Sequence, residues 1–433
     1  MRSRLGGTFE NVILSVEDTL FRNYLVAPVD VDSFIKTQHS VMSNLQRSLA
    51  ARPAARPVVR HVLSSLDEDG DSSSSSASSV SSTMTIIATN ETQSKRSIPT
   101  SVWKDYFEQE LYLECPSRHA EYHVYLTPPS NPSKDPLFVC HHGAGSSGLS
   151  FACFAESLRR RMPDAGILSI DAREHGSNVE KQGDMADFTL DTLAEDMLEM
   201  VRLTQAKLWP ELPKLVLLGH SLGGAVVTRL ARDAVFGAQL VGFGVIDVVE
   251  GSAIEALLNM QSYLGSRPVS FPSLEAAIEW HVRSRTIRSY ESARISTPGL
   301  VIETQPGVWT WRTDLACMLL HFRSHRCSLL TLCKATQPFW EQWFTGLSAG
   351  FLAGKGAKLL ILAGTDRLDK DLMIGQMQGK FQLQVLSEAG HFVQEDFPSQ
   401  TADILFEFYR RNDRSALVLP PKVSDLLKQG KKI

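Results

Sequence analysis

The chain carries one serine in a setting that would activate it: Ser221, at the centre of Gly219-His220-Ser221-Leu222-Gly223. Before it stands the run Lys214-Leu215-Val216-Leu217-Leu218, and after it the Ala/Val-rich stretch from Gly224 to Arg232. The five-residue pattern arises often by chance, so its flanks carry the meaning. A strand that runs into a helix through so sharp a turn strains the backbone of the middle residue. It also crowds the Cα atoms on either side, a crowding that glycine tolerates. The serine oxygen then stands above the sheet at the positive end of the helix, where a nucleophile is wanted. The bland reading is a serine capping a buried helix.

A nucleophilic serine needs an oxyanion site, a base and an acid. His141-His142-Gly143-Ala144-Gly145 follows an earlier apolar run. A His-Gly-x-Gly loop there lets a backbone N–H approach a developing oxyanion, and Ala144 is the expected donor, with Gly143 as the other choice. The second donor is the N–H of Leu222, directly after the serine. His391, in Gly390-His391 after the last apolar run, falls where the base belongs, and the chain order Ser…acid…His is that of an α/β-hydrolase. His175 and His220 abut motifs but are expected at the wrong strand ends, and His142 belongs to the oxyanion loop. For the acid, Asp247 and Asp366 both end strands. Spacing favours Asp366, while residue chemistry does not choose between them. Asp171 also ends a strand and reads as loop structure.

Positioning these groups takes a parallel sheet. Short apolar runs recur at Leu137–Cys140, Ile167–Ile170, Leu215–Leu218, Leu240–Ile246, Leu359–Ala363 and Leu383–Leu386, separated by helical stretches. Continuous apolar strands between helices predict an α/β fold, a mostly parallel, doubly wound sheet covered on both faces. Glu108–Glu114 and Glu121–Leu126 alternate like a hairpin at its edge. The interval of about 249–357 is too long for one crossover and holds five of the seven tryptophans. Its expected helices (Ala253–Tyr263, Ser273–Arg285, Gln337–Leu352) predict a helical cap. Residues 1–102 form a Ser-rich region: nine of the eleven residues from Ser72 to Ser82 are serine, after the acidic run Asp67–Asp71. Such a segment buries too little apolar surface to offset its chain entropy and is expected to be disordered. Residues 103–412 form the hydrolase domain and 413–433 a tail.

The chain has 433 residues, 43% of them hydrophobic, and a formal net charge of −4. This composition excludes a wholly disordered chain and a strongly basic nucleic-acid binder. No apolar run reaches the roughly 18 residues of a membrane span. Six cysteines in 433 residues do not form a disulfide framework, and a reducing, intracellular setting is expected, in the cytoplasm with the nucleus as a second location. No metal or cofactor is expected.

Residues from about 100 to 412 resemble the protein phosphatase methylesterase family, α/β-hydrolases that demethylate the C-terminus of the protein phosphatase 2A catalytic subunit. The resemblance rests on His142-Gly143-Ala144-Gly145-Ser146-Ser147, Asp171-Ala172-Arg173-Glu174-His175-Gly176 and the serine motif through Ala225. It continues in Ile246-Asp247-Val248-Val249-Glu250-Gly251, Ala363–Asp371 and Ile374-Gly375-Gln376-Met377-Gln378-Gly379-Lys380-Phe381. The Asp-Val-Val-Glu-Gly and Gly-Gln-Met-Gln-Gly-Lys runs are far more specific than the serine motif. The Ser-rich N-terminus is similar to fungal members. The resemblance implies a triad of Ser221, Asp247 and His391, with the acid after the sixth strand. It also implies a substrate, the methyl ester on a C-terminal leucine, and docking on the phosphatase, for which the cap is a candidate surface.

Two segments depart from the family. Cys317–Lys334 reads as an insertion and is expected to be translated intervening sequence; its cysteines and histidines match no zinc spacing. Residues 1–41 are expected to precede a start at Met42. The alternatives in function are a general carboxylesterase or lipase with the same triad, and a regulator that binds the phosphatase without catalysis. An epoxide hydrolase or dehalogenase would carry Asp in place of Ser221.

Overall fold

The computed structural model describes residues 102–180, 187–315, 337–364 and 368–413. Strands β1 (Gln109–Cys115) and β2 (Ala120–Thr127) form the antiparallel hairpin at the edge. Then come β3 (Leu137–His141), helix α1 (Ala152–Arg161), β4 (Gly166–Ile170), the two-residue β5 (Asn178–Val179) and α2 (Leu190–Leu208). β6 (Leu215–His220) leads through Ser221 into α3 (Leu222–Arg232), and β7 (Leu240–Ile246) follows. The cap contributes α4 (Glu250–Ser266), β8 (Ser270–Phe271), α5 (Leu274–Arg283), α6 (Tyr290–Leu300), β9 (Val301–Gln305), β10 (Val308–Trp311), α7 (Gln337–Phe344) and α8 (Leu347–Ala353). The chain then returns to the sheet with β11 (Ala357–Leu362), α9 (Lys370–Met377), β12 (Gln382–Val385), the single turn α10 (Val393–Asp396) and α11 (Pro398–Asn412).

The main sheet runs β1-β2-β4-β3-β6-β7-β11-β12, with β5 beside β2. From β4 onward every neighbouring pair is parallel. Alternate residues of each strand face opposite layers. Val139, Leu215 and Leu217 pack in the core with α2 and α3, while Phe138, Cys140, Val216 and Leu218 pack in a second core with α1 and α11. Every residue of β3, β4 and β6 is buried, which is why these strands read as unbroken apolar runs. Phe138 is fully buried, and truncating such a residue to Ala costs about 3–5 kcal/mol.

The cap is less helical than expected. β8, β10 and β9 form a small antiparallel sheet. Its β9–β10 turn is the pair Pro306-Gly307, flanked by β-branched and aromatic residues, a hairpin signal that the helical reading passed over. The stretch expected as one helix over Gln337–Leu352 is two, α7 and α8, broken at Gly346 with φ 76°. Trp340 and Trp343 are buried in the main core, while Trp280, Trp309 and Trp311 pack around Phe271 in a satellite cluster. The N-terminal region 1–101, the insertion 317–334, Asp366 and residues 414–433 lie outside the described residues.

Candidate active site

Ser221 stands between β6 and α3 with φ 52° and ψ −118°. Its neighbours show why they are glycines. A Cβ on Gly219 would lie 2.1 Å from Gly223 O, and one on Gly223 would lie 2.2 Å from His141 O. Leu222 is the first residue of α3, so its N–H has no acceptor within the helix and points out of the helix start. That leaves a backbone donor next to the serine, at the positive helix end.

Asp247 leaves β7 one strand away, with φ 51° and its side chain fully buried. Its Oδ1 accepts from the Ala363 N–H at 2.9 Å, and Oδ2 lies 2.9 Å from His391 Nδ1. An acceptor-only carboxylate at Nδ1 makes that nitrogen the donor and leaves Nε2 as the basic atom of the neutral ring. The His391 side chain is 45% exposed to solvent. Its loop is tied down by Asp396, whose carboxylate accepts from the Gly390 N–H at 2.6 Å and from the Arg288 N–H of the cap at 2.7 Å. Asp366, the competing acid, lies outside the described residues.

The loop after β3 passes over Ser221. A Cβ on Gly143 would sit 3.1 Å from Ser221 Cβ. The Gly143 carbonyl accepts from His142 Nδ1 at 2.7 Å and from the Ser146 N–H at 3.1 Å. In a trans peptide the N–H points away from the carbonyl, so the Ala144 N–H is directed to the opposite side.

His220 and His175 require a correction, because neither lies at a wrong strand end. His220 is the last residue of β6, on the same edge as Ser221. Its ring centroid is 4.6 Å from that of His391, and its Nε2–H donates to the His391 carbonyl at 2.9 Å. Burial, reinforced by the nearby His391, lowers its pKa to about 3 and keeps it neutral. His175 accepts a hydrogen bond from the N–H of Gly145, in the loop after β3, at 2.8 Å. Position told against both as the base but was silent on a supporting role; for His220 the available signal was its place directly before the serine. Asp171 is structural: its carboxylate binds His123 Nδ1 at 2.7 Å and the Gly148 N–H at 2.6 Å. Among the described residues no cluster of three or more His, Cys, Asp or Glu is arranged to hold a metal, and no helix is long and apolar enough to cross a membrane.

This strand order, with a serine at a strained strand–helix turn and an Asp–His hydrogen bond between later loops, is that of an α/β-hydrolase, and the alpha/beta hydrolase family model matches residues 138–404. The solved structure of E-2-(acetamidomethylene)succinate hydrolase has the same fold, with a TM-score of 0.50 and 18% identity, covering 70% of this chain and all of that one. Protein phosphatase methylesterase 1 of Aspergillus oryzae is 54% identical over 352 residues, 77% of this chain and 78% of the relative. The protein of that name from Gibberella zeae is 52% identical over 346 residues (78% and 81%), and that from Schizosaccharomyces pombe 40% over 339 (77% and 92%). The chain belongs to the protein phosphatase methylesterase family and is a carboxylic ester hydrolase.

Proposed function

We propose that this esterase removes the methyl group from the C-terminal leucine ester of the protein phosphatase 2A catalytic subunit, using Ser221 as nucleophile, His391 as base and Asp247 as its orienting acid. The observation that carries the reading is the 2.9 Å contact between buried Asp247 and exposed His391, in a chain of this family. His391 Nε2 takes the Ser221 hydroxyl proton as the oxygen attacks the ester carbonyl. The N–H groups of Ala144 and Leu222 stabilise the oxyanion. The tetrahedral adduct collapses, methoxide leaves, and the imidazolium protonates it to methanol. Water, deprotonated by His391, then attacks the acyl-enzyme and frees the leucine carboxylate and Ser221. None of these steps calls for a metal or cofactor.

The test is incubation with carboxymethylated phosphatase catalytic subunit while methanol is measured. Stoichiometric methanol from the wild type and none from Ser221→Ala is the expected result. Turnover of short acyl esters with the phosphatase tail left methylated would overturn the substrate. Binding of the subunit with no turnover would leave a regulator in its place.

A further inference from the structure

His175 is nearly inaccessible, with 2% of its surface exposed, and takes no part in the mechanism above. Its Nδ1 lies 2.8 Å from the Arg173 carbonyl, which only accepts, so Nδ1 carries the proton. Nε2 is then bare and receives the Gly145 N–H at 2.8 Å. The neighbouring His142 has the same tautomer: Nδ1–H donates to the Gly143 carbonyl and Nε2 accepts from the Ala172 N–H at 3.0 Å. The two rings lie 5.0 Å apart. Burial lowers the pKa of both rings, so both stay neutral and keep their acceptor nitrogen.

Ala144 sits between the two peptide planes these rings hold. His142 fixes the Gly143–Ala144 plane through its carbonyl, and His175 fixes the Ala144–Gly145 plane through its N–H. With both planes held, neither dihedral of Ala144 is free, and the direction of its N–H is set. Resting on the serine-esterase reading, we propose that His175 is a positioning residue whose imidazole locks the oxyanion loop so that the Ala144 N–H is aimed before substrate arrives.

The support behind His175 is rigid. Arg173, whose carbonyl orients the ring, is clamped by Asp196 through Nε at 2.5 Å and Nη2 at 2.8 Å, and donates to the Asp187 carbonyl at 2.8 Å. Tyr122 donates to the same Asp196 carboxylate at 2.7 Å. The cap meets this loop as well. Thr313 Oγ1 donates to the Glu174 carbonyl at 2.9 Å, and a Cβ on Gly145 would lie 2.7 Å from Leu315 Cδ1. Preorganisation of this kind matters because a donor displaced by about 1 Å can cost on the order of 100-fold in rate.

The experiment compares His175→Phe, which removes the acceptor, with His175→Gln, whose amide oxygen can take the Gly145 N–H. Activity on the methylated phosphatase subunit and inhibition by a trifluoromethyl ketone, which forms a tetrahedral adduct, are both measured. The expectation for His175→Phe is a kcat lower by ~10–100-fold with KM within ~3-fold, and a parallel loss of affinity for the ketone. His175→Gln should recover most of both. A His175→Phe enzyme with wild-type kcat, or a glutamine variant as impaired as the phenylalanine one, overturns the inference. Where His175→Phe does not fold, hydrogen exchange at the wild-type Gly145 amide decides: protection by ~100-fold or more supports the lock, and exchange at the free-peptide rate overturns it. A wild type that releases no methanol and resists a fluorophosphonate sinks the esterase reading itself, an outcome distinct from an active wild type whose His175 variants are unimpaired.

Discussion

Ser221 and Asp247 leave adjacent parallel strands with nearly the same positive φ, 52° and 51°. Each is still tied to the next strand by its own N–H: Ser221 donates to the Ile246 carbonyl at 3.0 Å and Asp247 to the Ile361 carbonyl at 2.8 Å. The ladder therefore reaches the N–H of the residue past each strand end, and the kink falls at that residue's own Cα. Non-glycine residues pay for such conformations with strain, which persists where the surroundings over-determine it. Here the ladder and the packed strands do so, and both side chains emerge on one edge of the sheet.

Ser221→Ala and His391→Ala should each lower turnover by at least ~1,000-fold, because nucleophile and base act as one unit. A fluorophosphonate should label Ser221 alone. Activity within tenfold of wild type in either variant, or labelling of another serine, would refute the assignment.

Asp247→Asn should keep the fold and lose turnover by orders of magnitude, since an amide can no longer hold the His391 tautomer or stabilise the imidazolium. Asp366→Asn should keep most activity. Kinetics on the two variants, with thermal midpoints recorded in parallel, check this; the reverse pattern would transfer the acid role to Asp366.

Acid should weaken the fold through its buried histidines. Burial lowers the pKa of His141 and of His281 to about 4, from the ~6.5 of an unfolded chain. Below pH ~6.5 the unfolded state therefore binds more protons than the folded one. Their stabilising contribution is complete above about pH 6.5 and shrinks as the pH falls toward about 4. The slope is at most ~1.4 kcal/mol per pH unit for each ring. Urea unfolding at intervals from pH 7 to pH 5 should show it, and His281→Phe should make the curve shallower. An unchanged slope in that variant would remove His281 from the explanation.

Asp196→Asn should destabilise the protein by about 3–5 kcal/mol, because it leaves the Arg173 guanidinium buried without its counter-charge. The two side chains are only 3% and 7% exposed. Urea unfolding measures the loss, and a change below about 1 kcal/mol would show that the pair is replaceable.

Much of this protein was legible along the chain, because it follows from local rules. The turn around Ser221 requires glycines at fixed offsets, and strands buried on both faces must be apolar throughout. Thus Leu215–Leu218, the serine motif and the order of serine and histidine could be read directly. The cap hairpin at Val301–Trp311 and the break at Gly346 are local too, but their short signals were outweighed by helical flanks. The acid was not legible from residue chemistry, since Asp171, Asp247 and Asp366 all follow apolar runs. What separates Asp247 from Asp171 is sheet order: β7 lies directly between β6 and β11, while Asp366 lies outside the described residues. That order brings Asp247 to His391 across 144 residues of chain, while Asp171 is spent on His123 and Gly148. The supporting roles of His175 and His220 likewise exist only in three dimensions. A histidine's function depends on which backbone groups converge on its two nitrogens, and those groups come from loops that only the tertiary structure brings together.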